Sequence, residues 1–366
     1  MNWAKKFFVT AITLITSITA LPVFAKPFES EIMRRLPVEV EDTGGTLIFS
    51  DSPEYVTRDG ILYTDTVKGE ARILFYHLNN TKVPKKLAVV VENISGGVNT
   101  IEITRGGFCA PSDNFLWVGK ETQLKYMKNQ FRDTIRFIKN GRKLFQQKMD
   151  KTIIKPGQLI YGVYDFKASD TVRISVLMYP VNVNPLNFIN DAEILPRDEY
   201  QLRGTFKNMN RVIKLKNEYN PATDGIGYVL LCDDATDLFK RGIDATDGVE
   251  VVNAGNYGVN YILNFETKAE TRFCLVPLGG TYAGAMRYIY NQHKGTIPTP
   301  RGKLYFGDNT PPEPEEVARE REKGKAFWTN YFEISELGNY SGKVSFEYSP
   351  PGASNLPVHI ILMPTD

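Results

Sequence analysis

The chain has 366 residues, with 44 Lys and Arg against 42 Asp and Glu and a formal net charge of +2. A charge this balanced gives no global argument for nucleic acid binding, and 3 Cys are too few for a disulfide scaffold. The 21 Phe, 19 Tyr, 29 Gly and 21 Pro suit a β-rich chain with many turns.

The first 25 residues read as a secretory leader. Lys5 and Lys6 form a charged head, an uncharged apolar stretch follows, and Val23-Phe24-Ala25 supplies small residues at the first and third positions of a cut site. Threonines, serine and Pro22 weaken the alternative of an uncleaved anchor. Cleavage after Ala25 places the mature protein in the periplasm, the cell wall or at the cell surface. No later run is long enough to span a bilayer, so membrane contact is expected to be peripheral at most.

A short extension, residues 26–43, precedes the first domain. From residue 44 on, apolar and polar residues alternate with a period of two in Val172-Arg173-Ile174-Ser175-Val176, in Val344-Ser345-Phe346-Glu347-Tyr348 and nearly so through residues 260–266. Each predicts a half-buried strand. Residues 87–91 and 358–362 are almost wholly apolar, as strands covered on both sides are. Turns such as Asn93-Ile94-Ser95-Gly96-Gly97, Lys155-Pro156-Gly157 and Pro350-Pro351-Gly352 separate them. The expected fold class is mostly β: two sandwich-like antiparallel β domains over 44–185 and 197–366, joined by a linker at 186–196. Short echoes, such as Tyr161-Gly162-Val163-Tyr164 with Tyr257-Gly258-Val259-Asn260-Tyr261, favour a duplication.

Two segments break the pattern. Between 120 and 150, Leu124, Met127, Phe131, Ile135 and Ile138 form an apolar helical stripe. Lys125, Lys128, Arg132, Arg136 and Lys139 form a basic one beside it, a candidate surface for anionic polymer or lipid headgroups. Asn140-Gly141 inside this insertion is a hairpin signal. A helix over about 120–130 is expected, then a hairpin or a second helix. The second break, around 312–325, is acidic at its front and basic at its back, and predicts a short surface helix.

Familiar catalytic motifs are missing: the sequence contains no HExxH, GxSxG or Walker A pattern. His359 sits in an apolar strand and reads as structural, and His293 in a polar turn reads as exposed. His77 ends a strand. His77, Asn79, Arg105, Tyr257 and Tyr282 are the residues singled out as ligand contacts, being polar or aromatic side chains near glycine turns. Asp233, Asp234, Asp237, Asp244 and Asp247 are a candidate calcium cluster, with capping and turn formation as the alternative. No other cofactor is expected. Cys232–Cys274 is the favoured disulfide, against three buried thiols.

Several stretches carry a resemblance. They are Asp51-Ser52-Pro53-Glu54-Tyr55-Val56, Gly69-Glu70-Ala71-Arg72 through Tyr76-His77-Leu78-Asn79, Arg203-Gly204-Thr205-Phe206, Pro277-Leu278-Gly279-Gly280-Thr281-Tyr282-Ala283-Gly284-Ala285 and Gly352-Ala353-Ser354-Asn355-Leu356-Pro357-Val358. Together they make residues 44–366 similar to secreted bacterial envelope proteins of uncharacterised function, the region that in some members follows a copper amine oxidase N-terminal-like module. The resemblance implies compartment and organisation and carries no active site. The expected function is a structural or adhesive one, binding a cell-surface polymer or another envelope protein. An extracellular polysaccharide hydrolase is the rival. A cleft with two facing carboxylates would favour the hydrolase, and a flat aromatic patch the binder.

Overall fold

The computed structural model describes residues 27–307 and 313–365; the leader falls outside them. The chain is mostly β and sandwich-like, as the period-two segments predict. It has two mixed sheets and, among the described residues, five short helices.

One sheet runs Val249–Val252, Arg241–Asp244, Arg203–Phe206, Thr46–Ser50, Gly60–Asn79, Leu159–Pro180, Lys85–Asn93, Arg142–Leu144. The other runs His293–Thr299, Gly284–Tyr290, Ser335–Tyr348, Asn260–Pro277, Val358–Pro364, Gly227–Leu231, Ser30–Arg35, Ala326–Thr329. Antiparallel pairs dominate, but Thr46–Ser50 lies parallel to Gly60–Asn79, and Asn210–Leu215 parallel to Asn260–Pro277. The first of these pairs begins only at Ala71. Residues 51–70 first carry the chain back to the start of the sheet, the crossover that a parallel neighbour requires.

Two very long strands organise each half. Gly60–Asn79 pairs with Leu159–Pro180 along nearly its whole length, with a register break between Ala168 and Val172. On one side of that break Leu159–Pro180 carries Asn99–Phe108, and on the other Lys85–Asn93. One strand therefore serves two layers, and their facing side chains, Ile73, Phe75, Val89, Val91, Phe166 and Ile174 among them, form a core. Asn260–Pro277 repeats the plan. Its register against Ser335–Tyr348 breaks between Thr267 and Thr271, with Asn210–Leu215 beside its first arm and Val358–Pro364 beside its second.

The halves share a core. Leu47, Phe49, Leu74 and Tyr76 of the first pack in one cluster with Tyr261, Leu263, Phe346 and Ile360 of the second. Residues 186–196 are not a free spacer between them. Leu195 is buried in the core of the first half, and its N–H donates to the Ile61 carbonyl at 2.8 Å. The chain beyond it returns Arg203–Phe206 to the first sheet, and the extension at 26–43 gives its strands Ser30–Arg35 and Val38–Thr43 to the second.

The helix expected near 120–130 spans Phe115–Lys128. The Asn114 side chain caps it by accepting from the Trp117 N–H at 3.0 Å, and Asn129 ends it in the left-handed region, φ 54°. Beyond it the chain is a strand, Asp133–Phe137, then a turn at Asn140-Gly141. The five basic residues are all exposed, but they do not form one helical stripe. Lys125 and Lys128 stand on the helix, Arg132 in the loop, Arg136 on the strand and Lys139 in the turn. Period-two burial of Ile135 and Phe137 overrides the helical spacing there. The second helix, Glu315–Glu322, buries no residue, as its composition predicts.

Candidate functional site

Three neighbouring strands of the first sheet build the floor of a cleft. Ser50 pairs with Phe75, so the next residue, Asp51, falls beside Tyr76, and Tyr76 pairs with Tyr161 on the third strand. Side chains alternate along a strand, so Phe49, Asp51, Leu74, Tyr76 and Tyr161 share one face. The Tyr76 and Tyr161 rings meet edge to face at 5.6 Å. The opposite wall comes from the second half: Leu202, Tyr257 and the loop Gly352-Ala353-Ser354-Asn355. Phe115, at the start of the helix, closes one end. The cavity so enclosed has a volume of about 350 Å³, within the range of small-molecule sites.

Hydrogen bonds fix these walls. Asp198 accepts from Ser52 Oγ at 2.8 Å and from the Glu54 N–H at 2.7 Å, pinning the turn that carries Asp51 and Glu54. The Tyr257 hydroxyl donates to the Ser354 carbonyl at 3.1 Å. Gln123 on the helix donates to the Tyr161 hydroxyl at 2.8 Å. A Cβ at Gly119 would lie 2.3 Å from the Gly352 carbonyl oxygen, so only glycine lets the helix approach the cleft's loop this closely.

Two carboxyls face the cavity, Asp51 and Glu54. Asp51 is 9% exposed, and its Oδ1 has no hydrogen-bond partner. Burial, then the charges of Glu54 and Asp198, pushes its acid well above the usual carboxylate range. Burial and Asp198 raise Glu54 too. Burial raises the phenols of Tyr76, Tyr161 and Tyr257. The cleft thus combines aromatic walls with a carboxyl that keeps its proton to higher pH than an ordinary carboxylate; while protonated it donates one hydrogen bond and accepts others.

Of the residues singled out in the sequence as ligand contacts, Tyr257 lines the cleft; the other four are scaffold. His77 follows Tyr76 and therefore points to the other face, where it is fully buried. Its Nδ1 donates to the Pro53 carbonyl at 2.9 Å, and its Nε2 accepts from Ser50 Oγ at 2.8 Å. Asn79 donates to the Val83 and Ile154 carbonyls, holding a turn. Arg105 is paired with Glu347 across the sheets. Tyr282 is buried against Phe306. His359 packs on Tyr228 at 4.6 Å between ring centroids, and His293 is exposed.

The aspartate cluster is spent on turns and arginines. Asp233 accepts from Thr236 and the Asp237 N–H, Asp234 from the Phe239 N–H, and Asp247 from the Val249 N–H. Asp237 pairs with Arg211 and accepts from the Tyr261 hydroxyl, and Asp244 pairs with Arg203. Among the described residues no group of three or more His, Cys, Asp or Glu side chains is placed to hold a metal ion. Of the two readings of the cysteines, the three buried thiols hold and the Cys232–Cys274 bridge is not formed: Cys109, Cys232 and Cys274 are separate buried thiols. Cys232 lies in the shared core, while Cys274, on the face opposite Phe273, lies in a separate cluster on the far side of the sheet.

Sequence reasoning passed over Asp51, Glu54, Tyr76 and Tyr161 as site residues. The available signal was an acidic turn, Asp51-Ser52-Pro53-Glu54, one residue beyond the apolar run Leu47-Ile48-Phe49.

No family model and no curated protein matches this chain. Among solved structures it is similar to Bacillus subtilis oxalate decarboxylase, with 10% identity over 87% of this chain and 77% of that one and a TM-score of 0.13. Vicilin from Solanum lycopersicum (tomato) gives 10% identity over 86% and 84%, TM-score 0.12. A structure of PNGF-II gives 10% identity over 90% and 65%, TM-score 0.13. Among the described residues no helix is long and apolar enough to cross a membrane.

Proposed function

We propose that this is an exported cell-envelope protein that binds a neutral saccharide segment of a surface polymer in the cleft between its halves. The observation that carries the reading is the unpartnered Oδ1 of Asp51, facing a ring-lined cavity. A buried polar atom without a partner costs about 1–3 kcal/mol, and a ligand hydroxyl would recover it. A sugar also brings apolar C–H faces for Tyr76, Tyr161, Tyr257 and Phe115. An anionic ligand fits poorly, because Glu54 and Asp198 stand beside Asp51. Export rests on the leader sequence and agrees with the resemblance to secreted envelope proteins.

The test is saturation-transfer NMR with neutral oligosaccharides, namely chito-, cello- and malto-hexaose. Transfer to at least one, lost in Tyr257→Ala, supports the reading; no transfer to any of them contradicts it.

The pair Asp51 and Glu54 favours a second reading, glycoside hydrolysis, in which a raised-pKa carboxyl protonates the leaving oxygen. It requires new reducing ends to appear from the same oligosaccharides, and their release to stop in both Asp51→Asn and Glu54→Gln.

A further inference from the structure

A second depression lies at the other end of the helix. Two adjacent glycines on the strand Asn99–Phe108 border it. Gly106 has φ +142°, and a Cβ there would sit 2.4 Å from the Tyr164 ring; a Cβ at Gly107 would sit 2.8 Å from Lys125 Cβ. The glycines let the Tyr164 ring and the Lys125 stem pack directly on the strand, and beside them lies a trough of about 490 Å³. Phe131 and Tyr164 meet edge to face at its base, 5.7 Å between centroids.

The rim is basic. Lys125 and Lys128 come from the last turn of Phe115–Lys128, and Lys148 comes from the short helix Gln147–Asp150. The Lys125 ammonium donates one bond, to the Phe108 carbonyl at 2.9 Å, and an ammonium has three to give. Lys148 Nζ stands 5.9 Å from the Phe108 ring centroid. Among the described residues none of the lining groups is acidic, and none of these three lysines is in an ion pair. Three like charges around one apolar floor repel one another, and an anion placed between them relieves that repulsion.

The geometry points to a second binding site, for an acidic sugar unit of a polyanionic glycan. The ring of such a unit lies on Phe131, which the buried Tyr164 ring supports from below, and its carboxylate, sulfate or phosphate meets Lys125, Lys128 and Lys148. A flat lipid surface is the poorer fit, because the aromatic groups lie at the base of a trough. The site is separate from the neutral cleft. Phe115 lines the cleft and Lys128 the trough, and at 1.5 Å rise per residue the helix sets them about 20 Å apart.

The test uses the full mature chain, with polygalacturonate as the anionic probe, dextran as the neutral one and phosphatidylserine vesicles as the lipid one. The wild type is expected to bind polygalacturonate and to weaken steeply between about 0.1 M and 1 M salt as the reach of each charge falls from about 10 Å to 3 Å, whereas any uptake of dextran by the neutral cleft is insensitive to salt. Lys125→Gln/Lys128→Gln/Lys148→Gln is expected to lose at least about tenfold in affinity, a loss of about 1.4 kcal/mol. The control Arg136→Gln/Lys139→Gln/Lys143→Gln, which removes three charges outside the trough, keeps wild-type affinity. Phe131→Ala retains every lysine and also weakens binding, which separates a ringed site from a merely charged face. Asp51→Asn binds polygalacturonate as the wild type does. Equal loss in the control variant, an unchanged Phe131→Ala, retention on vesicles in preference to the glycan, or no binding by the wild type would each overturn the assignment.

Discussion

Arg105 and Glu347 stand 242 residues apart in sequence and 2.5 Å apart in the fold, Nη1 to Oε2, in a buried ion pair that ties one sheet to the other. The Arg105 guanidinium also lies 3.9 Å from the centre of the Tyr126 ring and donates to the Tyr126 carbonyl at 2.8 Å. Glu347 accepts in addition from Arg287 at 2.7 Å and from Asn260 at 3.2 Å. Burial works to raise the Glu347 carboxyl, but the two arginines hold it below its ordinary range. An arginine that reads in the sequence as a ligand contact is therefore a fastener between the halves.

Removing Arg105 leaves Glu347 with Arg287 as its remaining cation. Arg105→Met is expected to destabilise the fold by about 1.5–3 kcal/mol, the worth of a hydrogen bond to a charged group, read as a drop in the urea midpoint. A change below about 1 kcal/mol would show that the halves do not depend on this contact.

Asp51 makes stability depend on pH in a stated direction. Its ordinary value is 3.8 and burial raises it in the fold, so above about pH 4 the folded state holds a proton that the unfolded state has lost. Its contribution is fully present below the ordinary value and is lost as pH rises through the raised one. Asp51→Asn removes that loss. The variant is expected to melt higher than wild type at pH 8, with about 1.4 kcal/mol gained for each unit of upward shift, and the difference is expected to shrink toward pH 4. A lower melting temperature than wild type at pH 8 would contradict the assignment of Asp51 as a buried, unpartnered acid.

The two buried histidines act in the opposite sense. Burial pushes His77 down from 6.5 to about 4, and His359 likewise to about 4. A carbonyl only accepts, so Nδ1 of His77 carries the proton given to Pro53, and Nε2 must stay bare to accept from Ser50. Stability from the neutral ring is present above the ordinary value and is lost as pH falls from about 6.5 toward 4. His77→Gln is expected to flatten this limb of a stability–pH curve measured by urea unfolding, while costing stability at pH 7. An unchanged slope would contradict the buried neutral ring.

The thiols give a direct count. Burial raises Cys109 to about 11 and Cys274 to about 12, and raises Cys232 well above its ordinary value. Thiol titration of unreduced protein is expected to find all three cysteines in denaturant and little reaction in the native state. A count of one in denaturant would restore the Cys232–Cys274 bridge.

The strands were legible because their burial is periodic. Val172–Val176 and Val344–Tyr348 alternate in sequence and are strands in the fold. The end of the helix was harder to read, since Phe131, Ile135 and Ile138 continue a helical spacing that Asn129 in fact terminates. The cleft was illegible for a different reason. Asp51, Tyr76, Tyr161 and Tyr257 come together only through strand register and through contact between halves. A one-residue difference in position decides that Tyr76 faces the cavity and His77 does not, and no local pattern encodes which face the second half will cover. The shared core has the same origin: Tyr76 and Tyr261 meet in it from opposite halves of the chain, across a Pro- and Asn-rich segment that reads as a linker.

The proposed occupant of the Asp51–Tyr257 cleft is a neutral saccharide. Isothermal titration of the wild type, Asp51→Asn and Tyr257→Ala with the hexaose that gives the strongest NMR transfer measures its binding. Saturable one-to-one binding is expected for the wild type, with a loss of at least about tenfold, about 1.4 kcal/mol, when the Tyr257 ring is removed. Asp51→Asn is expected to bind close to wild type, because its amide both donates and accepts as the neutral acid does. Saturable binding that is the same in all three proteins would place the saccharide elsewhere and contradict the account.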